Sequence, residues 1–407
     1  MERKLFKSVL SNLNRKEYII ITGARQVGKT TILKQLSDYL EKKNERCYYL
    51  TLEDPDLLNT LNDHPGNVLQ YTGMGSLPKE TIVTLLIDEI QYLKNPSNFL
   101  KYNFDVNGDW LKIVATGSSA FYLDTKFKDS LAGRKRIFEL FPLDFEEFLL
   151  FKGYSNWVAE WDQMRRNFGY TSLAFREIFL LFEEYLTYGG YPAVVLENNK
   201  EEKKEILNDL VKTYLKRDVI DSNQSDYLKV IQLLKVLASQ AGQLVNTHEL
   251  SNTLRFANTT IENYLYILQK CYHIQLVLPY YKSLRKELTK MPKVYFHDLG
   301  FRNSLLNHWQ STPERLDKGS HIENFLFIRL RQLYGLDIIR YWRTSSGNEI
   351  DFIVTQPSEG QIAIESKFRA DELNLSQYKI FTNAYPEIPL KLMAYETVNP
   401  AFSLFRL

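Results

Sequence analysis

The chain has 407 residues, of which 44% are hydrophobic and 25% are charged, a composition typical of globular rather than disordered proteins. One compact core rarely extends over this length, so we expect two to four domains. The formal net charge is only +2, which excludes a polycationic protein and restricts any nucleic-acid site to a local basic patch.

The first ten residues, MERKLFKSVL, carry charges but neither a sustained apolar stretch nor a small-residue cleavage site, so we expect no signal peptide. Further along the chain, no apolar run approaches the ~18 residues that a membrane-spanning helix needs. The two cysteines, Cys47 and Cys271, lie far apart and match no metal-binding spacing, which favours a reducing compartment over a disulfide scaffold. The sequence therefore predicts a cytoplasmic protein without a membrane partner.

Residues 17–22 form a β-branched run, EYIIIT, which predicts a buried parallel strand. It leads into GARQVGKTT, which matches the P-loop pattern G-x-x-x-x-G-K-[ST] and opens an apolar-periodic helix. Backbone N–H groups of such a loop converge on phosphate oxygens, Lys29 reaches the β- and γ-phosphates, and the Thr30 hydroxyl binds Mg²⁺. The residues predicted to bind the nucleotide are Gly23, Ala24, Arg25, Gln26, Val27, Gly28, Lys29, Thr30 and Thr31.

A second apolar strand is predicted over residues 82–87 and ends in Asp88 and Glu89. Two acids at the carboxyl end of a strand suit the chemistry that a P-loop requires. We expect Asp88 to hold Mg²⁺ and Glu89 to polarise the attacking water.

A third strand, predicted over residues 111–115, leads into Thr116, Gly117, Ser118 and Ser119. Small hydroxyl residues here, Ser118 among them, could contact the γ-phosphate, or they could merely cap the next helix. Arg134 could act as an arginine finger on the nucleotide of a neighbouring subunit, which would imply a homo-oligomer, or it could be an ordinary surface residue.

Several motifs now occur in an order that resembles a known family, the bacterial and archaeal AAA-type ATPases that carry a C-terminal domain of unknown function. They are GARQVGKT, LLIDEIQ, ATGSSA, LAGRKRIFELFPLDFEEF, GGYP, YLKRDV, FHDLGFRNSL, IENFLF, YWRTSSGNEIDFIV and IAIESKF. The resemblance spans nearly the whole chain. It implies an ATP-binding core, a helical lid, a winged helix and a tail similar to restriction endonucleases, with ATP as the nucleotide.

The middle of the chain, residues 151–227, is predicted to form a helical lid and connector. Gly189, Gly190, Tyr191 and Pro192 form a turn signal in this segment. The resemblance suggests that this turn couples the nucleotide state to the angle between domains. An ordinary tight turn explains the residues equally well.

Residues 228–300 show a winged-helix pattern. Thr247 is predicted to cap one helix, and Thr259 with Glu262 to form the capping box of the next. Two strand-like runs follow, joined by KSLRKELTKMP, which predicts a hairpin whose tip is basic. Its residues Lys282, Arg285, Lys286, Lys290 and Lys293 could grip DNA phosphates, or the module could bind protein instead.

The last segment, residues 301–407, contains Glu323 on a predicted helix, then Asp351, Glu365 and Lys367 on predicted strands. This order resembles the PD-(D/E)xK nuclease superfamily. The three carboxylates could hold a second Mg²⁺ or Mn²⁺, while Lys367 orients the water or offsets phosphate charge. Glu349 lies two residues before Asp351 on the same strand face and could assist. These residues could equally be solvated strand ends or remnants of an inactive nuclease.

The predicted fold class is α/β: a P-loop AAA-type parallel sheet in residues 1–150, a helical lid, a winged helix, and a mixed α/β restriction-endonuclease-like domain. The first functional hypothesis is an ATPase whose nucleotide state controls a module that acts on DNA. The alternative is a nucleotide-dependent switch or scaffold that binds a protein partner through an inactive nuclease-like domain.

Overall fold

A computed structural model describes residues 1–72, 82–117, 131, 133–221, 227–281, 283–356, 360–400 and 403–407. The chain divides into two compact units. The first comprises residues 1–141 with 270–272, and the second comprises residues 142–269 with 273–407. Among the residues in these ranges, no helix is both long enough and apolar enough to cross a lipid bilayer.

The first unit is built on a five-stranded sheet. Its strands are β1 (Tyr18–Gly23), β2 (Arg46–Thr51), β3 (Val83–Asp88), β4 (Leu111–Gly117) and β5 (Lys135–Leu140). They lie in the order β2-β3-β4-β1-β5 and all pairs are parallel. Every residue of β1, β3 and β4 is buried, as expected for strands with both faces covered. The helices are α1 (Lys4–Ser11), α2 (Lys29–Lys42), α3 (Pro55–Asp63) and α4 (Pro96–Asn107).

The predicted parallel α/β sheet is therefore confirmed. Because its strands are parallel, the carboxyl ends of β1, β3 and β4 meet at one edge, where Gly23, Asp88 and Gly117 lie. Gly23 must be glycine for a packing reason, since a Cβ added there would lie 2.0 Å from the carbonyl oxygen of Leu140. The edge of the sheet thus brings together the residues that the sequence singled out.

The second unit is mostly helical. Its helices are α5 (Phe145–Phe151), α6 (Ser155–Arg166), α7 (Phe175–Tyr188), α8 (Pro192–Leu196), α9 (Lys200–Asp221), α10 (Tyr227–Ser239), α11 (Thr247–Leu254), α12 (Asn258–Lys270), α13 (Leu284–Thr289), α14 (Leu299–Leu306), α15 (Lys318–Tyr334) and α16 (Lys379–Ala384). Two strands pair antiparallel, β6 (Ile274–Val277) and β7 (Lys293–Phe296). A four-stranded sheet has the order β11-β10-β9-β8, with β8 (Ile339–Arg343), β9 (Glu349–Gln356), β10 (Gly360–Arg369) and β11 (Leu390–Glu396). In this sheet β8, β9 and β10 are antiparallel, whereas β11 runs parallel to β10.

One hydrophobic core joins the three segments that the sequence separated at residues 151–227, 228–300 and 301–407. Phe182, Tyr295 and Phe325 come from the three segments in turn and belong to the same buried cluster. The chain end joins this core too, since Trp161 Nε1 donates a hydrogen bond to the carbonyl oxygen of Phe405 at 3.2 Å. The three predicted segments therefore share one hydrophobic core.

The segment predicted as a winged helix differs in detail from the prediction. Asn246 caps α11, accepting from two backbone N–H groups, so the predicted cap Thr247 lies inside the helix. Asn is at least as good an N-cap as Thr, which makes the adjacent position ambiguous from sequence. Thr259 likewise falls inside α12, which begins at Asn258. The connection between β6 and β7 contains α13, and Lys293 starts β7 instead of lying at a basic tip.

The Gly189–Gly190 pair is explained by packing within the second unit. The Asp298 carboxylate accepts hydrogen bonds from the backbone N–H groups of Gly190, at 2.7 Å, and Phe301, at 2.8 Å. A Cβ on Gly189 would lie 2.2 Å from Asp298 Oδ1, and one on Gly190 would lie 2.2 Å from the carbonyl oxygen of Leu143. The two glycines allow this close approach of backbone to a buried carboxylate.

We expect Gly190→Ala to destabilise the protein by about 1–3 kcal/mol, because the added methyl group must displace the backbone at Leu143. The measurement is the urea midpoint of unfolding. The matched control is Gly319→Ala on α15, where a Cβ meets no atom within 4 Å and should be neutral or slightly stabilising. Equal midpoints for the two variants would contradict the packing explanation.

Candidate functional site

The P-loop connects β1 to α2 in a conformation that needs left-handed backbone at two positions. Gly28 has a φ of 100° and Gln26 a φ of 54°. Helix α2 begins at Lys29, so its N-terminal N–H groups face the loop. Lys29 is only 6% exposed, and its ammonium donates to the carbonyl oxygens of Gly23 at 3.0 Å and Ala24 at 2.7 Å. The loop thus combines a helix N-terminus with a lysine charge, the usual composition of an anion site.

Asp88 is the centre of the hydrogen bonds at this edge of the sheet. Its Oδ2 accepts from the Thr30 hydroxyl at 2.8 Å and from the Tyr49 hydroxyl at 2.9 Å. Its Oδ1 accepts from the Thr116 hydroxyl. Burial, together with the Asp88 charge, raises the pKa of Tyr49, which therefore stays a donor at neutral pH. Three hydroxyls from three elements fix the direction of one carboxylate.

Glu89 has a strained backbone, with a φ of 60° and a ψ of 50° in the left-handed region. Its N–H donates to Thr116 Oγ1 at 3.1 Å, and its Oε2 accepts from the Gln91 side chain. Strained non-glycine residues concentrate at functional sites, where the surrounding contacts hold them in place. Thr116 therefore holds both acids, one through its O–H and the other through its oxygen.

These residues fit a nucleotide with its magnesium ion. Lys29 and the start of α2 suit phosphate oxygens, while the oxygens of Thr30 and Asp88 lie within hydrogen-bond distance of each other and are the hard ligands that Mg²⁺ prefers. Thr31 follows on α2. Ser118 and Ser119 lie outside the described residues.

Arg134 lies away from the acids just described. Its Nε is 2.8 Å from Asp105 Oδ1, and its guanidinium lies over the ring of Phe104. The side chain is 32% exposed. An arginine-finger role would require it to leave this pair, and it stays a prediction.

A second group of acids lies in the second unit. Carboxylate oxygens of Glu323, Glu349 and Asp351 lie within 4.8 Å of one another. Glu349 and Asp351 therefore face the same side of their strand, as the alternation of side chains along a strand predicts. The Lys293 ammonium lies 2.9 Å from Glu323 Oε1 and also contacts Glu349 Oε1. Burial raises the pKa of Glu323 to about 7, against the opposing effect of Lys293.

Glu365 is next to this cluster but bonded differently. Its Oε2 accepts from the backbone N–H of Asp351 at 3.1 Å, and its Oε1 accepts from Lys367 at 2.6 Å and Tyr378 at 3.2 Å. Burial and the Asp351 charge raise the pKa of Glu365. Burial lowers the pKa of Lys367, but the charge of Glu365 outweighs burial and raises the pKa overall. Lys367 is therefore an ammonium at neutral pH. It can offset charge but cannot act as a base.

The predicted second metal ion, held by Glu323, Asp351 and Glu365, stays a prediction, but the position between Glu323 and Glu349 is occupied by Lys293. Metal ions bind carboxylate oxygens at about 2.0–2.6 Å, so an ion between Glu323 and Glu349 would overlap the ammonium of Lys293. The predicted contact of Lys293 with DNA is therefore wrong. Lys293 is 1% exposed and its charge is turned toward carboxylates, where a phosphate cannot reach it.

The comparison with known families agrees with the geometry at the sheet edge. Residues 15–149 match the family model of an AAA domain. This segment is therefore similar to AAA domains, and we refer to it as the AAA-type domain. Residues 180–312 and 318–399 match two further models, each described as a domain of unknown function (DUF8612 and DUF4143). The acidic cluster of Glu323, Glu349 and Asp351 lies within the second of these matches, and Lys293 lies within the first.

Similar proteins occur in archaea and bacteria. A Methanocaldococcus jannaschii protein is 26% identical over 91% of this chain and 79% of its own length. A Haemophilus influenzae protein is 27% identical over 84% of this chain and 80% of its own. A Mycobacterium tuberculosis protein is 26% identical over 84% and 68%. All three are described as uncharacterized proteins.

Two solved structures are similar to this chain at low sequence identity and low TM-score. Replication initiator DnaA bound to AMPPCP and single-stranded DNA is 18% identical with a TM-score of 0.32, over 65% of this chain and 86% of that one. AMPPCP-bound DnaA from Aquifex aeolicus is 16% identical with a TM-score of 0.29, over the same shares. These scores are too low to indicate what this chain binds.

Three residues of the first unit were missed by the sequence analysis. Arg3 is buried and donates to the carbonyl oxygens of Val27, at 2.5 Å, and Phe141, at 2.8 Å. It thus links the P-loop to the residue that follows β5. Tyr49 and Gln91 orient the two acids. For Tyr49 a signal existed, since it is a polar residue near the carboxyl end of β2, the strand beside β3. Arg3 had none, because its partners lie 24 and 138 residues away.

We expect Thr116→Val to lower ATP turnover by about 10- to 100-fold, because both acids lose the hydroxyl that orients them. The KM for ATP should change little, since the P-loop is untouched. Steady-state ATPase kinetics measure both constants. The control is Thr84→Val, a buried threonine earlier on β3, which should behave as wild type. Wild-type turnover in Thr116→Val would contradict the orienting role.

Proposed function

We propose that the protein binds ATP with Mg²⁺ in its AAA-type domain and hydrolyses it. The observation that carries the proposal is the convergence of Thr30, Asp88 and Thr116 beside the P-loop, with Glu89 held next to them. On binding, Lys29 exchanges its carbonyl partners for phosphate oxygens, and α2 directs its first N–H groups at the same phosphates. Phosphate binding thus uses groups already in position.

The remaining residues serve the hydrolytic step. Thr30 and Asp88 would hold the magnesium ion, which neutralises charge on the β- and γ-phosphate oxygens when bound. Glu89 accepts a hydrogen bond from the attacking water and orients it toward the γ-phosphate. Gln91 and Thr116 keep the carboxylate and backbone of Glu89 in place.

Two substitutions separate binding from turnover. Lys29→Ala should abolish ATP binding, because the phosphates lose their main cation. Glu89→Gln should bind ATP normally but turn it over about 100-fold more slowly, because the amide no longer polarises water. Calorimetry gives the binding constant and phosphate release gives the rate. Lys34→Ala, an exposed lysine on the same helix, is the control and should match wild type.

The nucleotide cycle is proposed to act as a switch on the second unit. Part of that unit supports an endonuclease-like fold, because α15, the antiparallel strands β8 to β10, α16 and the parallel strand β11 follow one another in that order. Arg134 could link the switch to a neighbouring copy, as an arginine finger would require.

DNA binding by the segment around α11 and α12 is a second candidate function. It is favoured by Arg285 and Lys290, both exposed on the connection between β6 and β7. Lys282 lies outside the described residues, as does the side chain of Lys286. The competing candidate is a protein partner at the same module, which the near-neutral net charge favours.

We expect the double variant Arg285→Glu/Lys290→Glu to weaken duplex binding at least about 10-fold and to reduce the slope of log K against log salt by about 2, because two phosphate contacts are lost. Fluorescence anisotropy over a salt series measures both. Lys235→Glu/Lys379→Glu, at two exposed lysines, changes the net charge equally and is the control.

Absence of salt-dependent binding in the wild type would reject the DNA candidate. A stoichiometric protein that stays bound after nuclease treatment would then support the protein-partner candidate.

A further inference from the structure

The acidic cluster of the second unit contains a lysine at its centre. Lys293 comes from β7, Glu323 from α15, and Glu349 and Asp351 from β9. The lysine is 1% exposed, and its ammonium bonds Glu323 and Glu349. Residues that are separated by 30 to 58 positions in sequence thus meet around one cation.

Electrostatics explains why a cation must be there. The three carboxylates lie within 4.8 Å of one another, Asp351 buried and Glu323 and Glu349 partly buried, so they repel strongly unless a cation offsets their charge. Burial by itself would lower the pKa of Lys293, but the charges of Glu323, Asp351 and Glu349 outweigh burial and raise it. The lysine therefore stays charged throughout the physiological pH range.

The surrounding contacts hold the three carboxylates in place around Lys293. Tyr295 donates to Glu323 Oε1 at 2.5 Å, and Arg343 lies 2.9 Å from Glu349 Oε2. Asp351 Oδ2 accepts from both the backbone N–H and the hydroxyl of Ser366, each at 2.8 Å. The cluster is therefore a constructed site whose cation is part of the chain.

We propose that Lys293 takes the place of a divalent metal in this cluster, so that the endonuclease-like part of the chain keeps Glu323, Glu349 and Asp351 charge-balanced without a metal ion. The ammonium and a metal exclude each other because both need the oxygens of Glu323 and Glu349. This inference does not depend on ATP hydrolysis, since it concerns metal binding by nucleotide-free protein. It favours a binding role over metal-dependent cleavage.

The test is Mn²⁺ binding followed by electron paramagnetic resonance, with nucleotide-free protein in an Asp88→Asn background that removes the P-loop ligand. Without further change, the protein should bind no Mn²⁺ at the cluster. Lys293→Met should bind about one Mn²⁺ per chain at least about 10-fold more tightly, because the oxygens are released. Adding Asp351→Asn to Lys293→Met should remove that binding.

The matched control is Lys203→Met. Lys203 is also 1% exposed in the second unit, but its carboxylate partner is Glu184, outside the acidic cluster. This variant should gain no Mn²⁺ site. A gain equal to that of Lys293→Met would show that loss of any buried lysine creates binding, and would overturn the proposal.

Two other results would overturn it. One is Mn²⁺ binding by the protein with Lys293 intact that Asp351→Asn abolishes. The other is a folded Lys293→Met variant that binds no more Mn²⁺ than its parent. If Lys293→Met fails to fold in EDTA, Mn²⁺ added during refolding should restore its circular dichroism spectrum. Should it not do so, the comparison of intact protein with Asp351→Asn decides the question.

Discussion

The carboxylate of Asp88 accepts three hydroxyl hydrogen bonds, and the arrangement of the AAA-type domain depends on that convergence. A parallel sheet brings the ends of neighbouring strands to one edge, but it does not fix the directions of side chains there. Thr30 from the helix after the P-loop, Tyr49 from β2 and Thr116 from β4 supply the directions. Loss of one hydroxyl therefore affects residues on other strands, since Thr116 also holds the backbone of Glu89.

The second unit solves a different problem, the burial of many charges. Asp298 accepts hydrogen bonds from backbone N–H groups, whereas Asp317 is paired with Arg302 at 2.8 Å and Arg315 at 2.9 Å. In the acidic cluster, Lys293 pairs with Glu323 and Glu349. Asp298, Asp317 and Lys293 each have specific partners, which makes the interior sensitive to changes in these residues. The same sensitivity makes the identity of each partner informative about function.

The sequence predicted what local patterns can reveal. The P-loop and the strand that ends in Asp88 depend on residues close together in the chain, and the structure shows them. The parallel sheet pairs distant strands, such as Ile19 with Val114, and was predicted from the apolar character of its strands and from the family resemblance. Lys293 was misjudged because a lysine beside other basic residues looks solvated, and its partners Glu323 and Glu349 are 30 and 56 positions away. Contacts of that range follow from the packing of whole elements, which no local pattern records.

The hydrogen bond between Trp161 and Phe405 has a consequence for synthesis of the chain. Arg406 strengthens the same contact, since its guanidinium donates to the carbonyl oxygen of Met164 at 3.1 Å. Translation is vectorial and the ribosomal tunnel encloses the most recent residues. The helices around Trp161 thus emerge before Phe405 is synthesised, and their shared apolar surface is complete only after Phe405 has left the tunnel. Until then a nascent chain exposes an apolar surface that chaperones can bind.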